Sequence, residues 1–109
     1  MSRVLLIYHS PLFAHSVRVA LRGQPQITLV GELADWERAA EEMTRLAPDV
    51  MILEEDEREA TEALLSLLSH YPLPWRVVAM QLGNPSIHVW SGAWQPLQRQ
   101  EDLLSAVRI

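Results

Sequence analysis

Val50-Met51-Ile52-Leu53 is an unbroken apolar run, preceded by Pro48-Asp49 and followed by Glu54-Glu55-Asp56. A strand wetted on one face alternates apolar and polar residues, whereas a strand covered on both faces has no reason to. The run therefore predicts a strand buried on both sides, with helices above and below its sheet. The segments beside it agree. Upstream, Trp36, Ala39, Ala40, Met43 and Leu46 lie on one helical stripe, with Asp35 as its cap and Pro48 as its stop. Glu37, Arg38, Glu41, Glu42 and Arg45 are expected to face water. Downstream, a helix over about residues 58–70 turns Leu64, Leu65, Leu67 and Leu68 inward and ends before Pro72 and Pro74.

Further out, the period switches in the same way. Val4 to Tyr8 is a second continuous apolar run, and Ser10-Pro11 is a capping hydroxyl followed by proline at the first helical position. Leu12, Phe13, Ser16, Val17, Ala20 and Leu21 recur at helical spacing until Gly23. Residues 27–30 and 77–82 read as two more strands. The order βαβαβαβ with short connections predicts one α/β domain over residues 1–109, with ligands expected beyond the carboxyl ends of its parallel strands.

The last quarter departs from that rhythm. Gly83-Asn84-Pro85-Ser86 is too short and turn-rich for a crossover helix, and Ile87-His88-Val89-Trp90, Ser91-Gly92 and residues 93–97 read as strand, turn and strand. In that hairpin Ile87, Val89 and Trp94 share the face that packs on the core, while His88, Trp90 and Gln95 share the other. A final helix over 100–108 is expected to turn Leu103, Leu104 and Val107 inward.

Composition removes several chemistries. The chain has 109 residues, a formal charge of −5, no cysteine, and nine basic residues that are all arginine. Without lysine or cysteine there is no Schiff base, thiol nucleophile, disulfide or thiolate metal site. An acidic balance argues against nucleic acid as a partner, since phosphate binding needs a basic patch. No apolar stretch reaches the roughly 20 residues a membrane-spanning helix needs, so no membrane partner is expected and a cytoplasmic location is the default.

Three segments, Arg3-Val4-Leu5-Leu6-Ile7 with Pro11-Leu12-Phe13, residues 25–32 with Asp35, and residues 48–53, resemble the receiver domain of bacterial two-component response regulators. The likeness is to the subclass usually joined to a helix-turn-helix output domain, and it continues more weakly through 76–79 and 101–108. It implies a flavodoxin-like (CheY-like) doubly wound parallel sheet, here with the region after strand four replaced by a β-hairpin at the edge. The positions that matter for the family's chemistry carry other residues. Its metal-binding acidic pair corresponds to Tyr8 and His9, its phosphoacceptor aspartate to Glu54, its hydroxyl residue to Gln81, and its lysine falls near Gln95. Phosphoryl transfer needs a metal and cations around the developing charge, and both are missing from these positions. The resemblance thus implies a degenerate pseudo-receiver: not an enzyme, with no cofactor or metal, working through protein partners and expected to form a homodimer.

Other constellations have plainer readings beside the functional ones. Glu54, Glu55, Asp56, Glu57, Glu59 and Glu62 put six acids in nine residues. That run reads either as a cation site with His9 or as a solvated loop and an acid-rich first helical turn. His9, His15, His70 and His88 contain no metal-binding pair at close spacing. His88 and Trp90 on the outward face of the predicted hairpin are a candidate interface, unless Trp90 covers a helix of its own monomer. The alternative function is a small-ligand or divalent-metal sensor using the strand-end pocket of Tyr8, His9, Glu54 and Gln81.

Overall fold

The computed structural model describes residues 2–55, 58–69, 71–81, 83 and 87–92. Its elements are β1 (Ser2–Ile7), α1 (Pro11–Leu21), β2 (Ile27–Leu33), α2 (Ala39–Leu46), β3 (Val50–Glu54), α3 (Arg58–Leu68), β4 (Trp75–Met80) and β5 (Ile87–Gly92). They build one five-stranded sheet in the order β2-β1-β3-β4-β5. The first four strands run parallel, and β5 runs antiparallel to β4 from Met80↔Ile87 to Trp75↔Gly92. This is an α/β architecture with a mostly parallel sheet, and among the described residues no helix is long and apolar enough to cross a membrane.

Two-sided burial follows directly from the apolar runs. Side chains of a strand alternate between faces, so Val4, Leu6 and Ile52 meet Phe13, Ala14 and Val17 of α1 on one side of the sheet. Leu5, Ile7, Met51, Leu53 and Val77 meet Ala39 and Met43 of α2, Leu64 and Leu68 of α3, and Tyr71 on the other. Ser10 caps α1 by accepting a 3.4 Å hydrogen bond from the Phe13 N–H, and Pro11 begins the helix. Gly23, with φ +79°, lies just beyond its end. At the amino edge of the sheet, Asp49 Oδ1 accepts from the Arg3 N–H at 2.8 Å, and the Tyr71 hydroxyl donates to the Pro48 carbonyl at 2.6 Å.

The structure corrects four local expectations. α2 begins at Ala39, and Asp35 instead accepts from the Glu37 N–H in the preceding turn, at 3.1 Å. Glu42 is not on a wet face: it is 6% exposed, folded under the guanidiniums of Arg45 (2.6 Å) and Arg38 (3.6 Å). Ala40 and Leu67 are exposed although the helical stripes placed them inward. The largest correction concerns the last strand. Ser91 and Gly92 are not a turn but the end of β5, paired with Arg76 and Trp75. The hairpin is the one β5 makes with β4, and the reversal lies between Met80 and Ile87. A glycine suits position 92 because the Trp75 indole crosses it: a Cβ there would stand 2.6 Å from Trp75 Cζ2.

The faces of β5 are correspondingly exchanged. Trp90 is the half-buried member, packed against the core that α2 and α3 cover, whereas Ile87 and Val89 are 53% and 51% exposed. Residues 93–109, and with them Trp94, Gln95 and the expected final helix, lie outside the described residues.

Candidate functional site

The carboxyl edge of the sheet is assembled by register. Ile7 pairs with Leu53 and Glu54 pairs with Met80, so Tyr8 and His9, Glu54, and Gln81 fall in one row along the ends of β1, β3 and β4. The structure thus brings together four of the five positions singled out in the sequence, and Gln95 lies outside the described residues. Tyr8 donates its N–H to the Leu33 carbonyl at 2.9 Å and packs its ring on the α1 side of the core. Gln81 is exposed immediately after β4.

Glu54 is the centre of this row. Its side chain is only 8% exposed, and Oε1 accepts two backbone hydrogen bonds, from the His9 N–H at 2.9 Å and from the Ser10 N–H at 2.8 Å. These donors sit at the entry to α1, a helix with no acidic residue in its own first turn. A carboxylate delivered from β3 therefore supplies the negative charge that the positive end of the α1 dipole favours. Hydrogen bonds from backbone N–H groups to an ionised carboxylate are about twice as strong as neutral ones. The side chain acts as a strut tying the β1–α1 connection to the end of β3.

The neighbouring acid turns elsewhere. Glu55 donates its N–H to the Met80 carbonyl at 2.7 Å, and its carboxylate meets His88 Nδ1 of β5 at 2.9 Å. The His88 ring in turn stands edge-on to Trp90, with centroids 5.8 Å apart at 75°. Glu62, on α3, is exposed. The acidic run is therefore split among separate tasks, and among the described residues no group of three or more His, Cys, Asp or Glu side chains converges as metal ligands would. Asp56, Glu57 and His70 lie outside the described residues, and His15 is exposed on α1.

Sequence reasoning missed the Glu55–His88 pair and the two backbone donors to Glu54. The signal for the first is slight, because it depends on β5 folding back on β4. The second left no residue signature, because the donors are backbone N–H groups. As for the proposed interface, His88 is exposed while Trp90 is half-buried against the core of its own chain.

No protein-family model matches the sequence, and a comparison with curated proteins finds no match.

Proposed function

We propose that this chain is a receiver-like module of flavodoxin-like topology that works without phosphorylation, as an adapter binding protein partners and a second copy of itself. The observation that carries the reading is Glu54. The carboxylate at the phosphoacceptor position is nearly buried and already committed to the His9 and Ser10 N–H groups. Phosphorylating it would make an acyl phosphate and take the charge off the carboxyl oxygen that those donors hold. Around it, Tyr8, His9 and Gln81 supply neither the acidic pair for a divalent ion nor the hydroxyl that the receiver pattern uses. A domain that keeps the receiver sheet and has replaced its reacting groups is left with its surfaces as the means of action.

The test is intact-mass spectrometry after incubation of the full chain with acetyl phosphate and Mg²⁺, alongside beryllofluoride. The expected mass is unchanged, and the melting temperature is the same with and without beryllofluoride. A gain of one phosphate that disappears in Glu54→Ala would overturn the reading.

A further inference from the structure

We draw no further inference here: the strongest candidate, the cavity at the amino rim of the sheet lined by Asp49, Trp75, Arg76, Ser91 and Gly92, carries none because its wall ends at Gly92, the residues that follow lie outside those described, and nothing in the structure shows what covers it.

Discussion

Glutamate is one methylene longer than aspartate, and at position 54 its carboxylate reaches from the end of β3 to the His9 and Ser10 N–H groups. Removing it leaves two donors without their acceptor beneath a nearly closed surface. Glu54→Ala is accordingly expected to lose about 1–3 kcal/mol of stability in denaturant titration, and Glu54→Gln, which keeps a carbonyl oxygen, less. If Glu54→Ala melts like wild type, the strut does not hold the connection. The importance of position 54 was legible from the sequence, because an acid ending a buried strand stands where the sheet offers its ligands. Its partners were not, since backbone donors carry no residue signature.

At the scale of elements, α2 shows how a stripe is read correctly and a single position within it is not. Ala39 and Met43 face the core as the spacing requires, yet Glu42 is buried because Arg38 and Arg45 reach over it from one turn on either side. Helical periodicity carries the direction of a side chain but not the cover that long neighbours provide. The Arg45 hydrogen bond, aided by the charges of Arg45 and Arg38, holds the Glu42 carboxyl below the usual carboxylate range, with burial opposing. A depressed folded-state value means that this contribution is present at neutral pH and is lost as pH falls through that lowered value. Melting curves of wild type and Glu42→Gln are expected to differ at pH 7 and to draw together as the pH is lowered below the ordinary carboxylate range. A constant gap across that range would remove the carboxylate as the source. For β5, the same limit on sequence reasoning appears in another form. Ser91-Gly92 has the composition of a turn, and only the distant Trp75 ring explains why a glycine ends a strand there.

For the molecule as a whole, a parallel sheet with helices on both faces was legible because continuous apolar runs and helical stripes alternate along the chain, whereas the strand order and the choice of face for each helix are not written in that alternation. The direction of β5 was not legible either, because a parallel and an antiparallel fifth strand present the same alternation. Total charge acts at this scale too. With −5 on each copy, the proposed self-association is opposed by long-range repulsion, which salt screens over about 10 Å at 0.1 M. The dissociation constant of the proposed dimer is expected to fall several-fold between about 0.05 and 0.5 M NaCl, as read by sedimentation. A constant that rises with salt would mean that ion pairs hold the copies together.

The reversed course of β5 has a further consequence. Because β5 descends where the other strands climb, Gly92 ends beside Trp75, at the rim opposite Glu54. Six strand residues separate these rims, about 20 Å at the usual rise. The described part of the sheet therefore presents two separate rims, one with the row of Tyr8, His9, Glu54 and Gln81 and one with Trp75 and Gly92. Side chains at one rim are too far from those at the other for direct contact, and any influence between them has to pass through the strands.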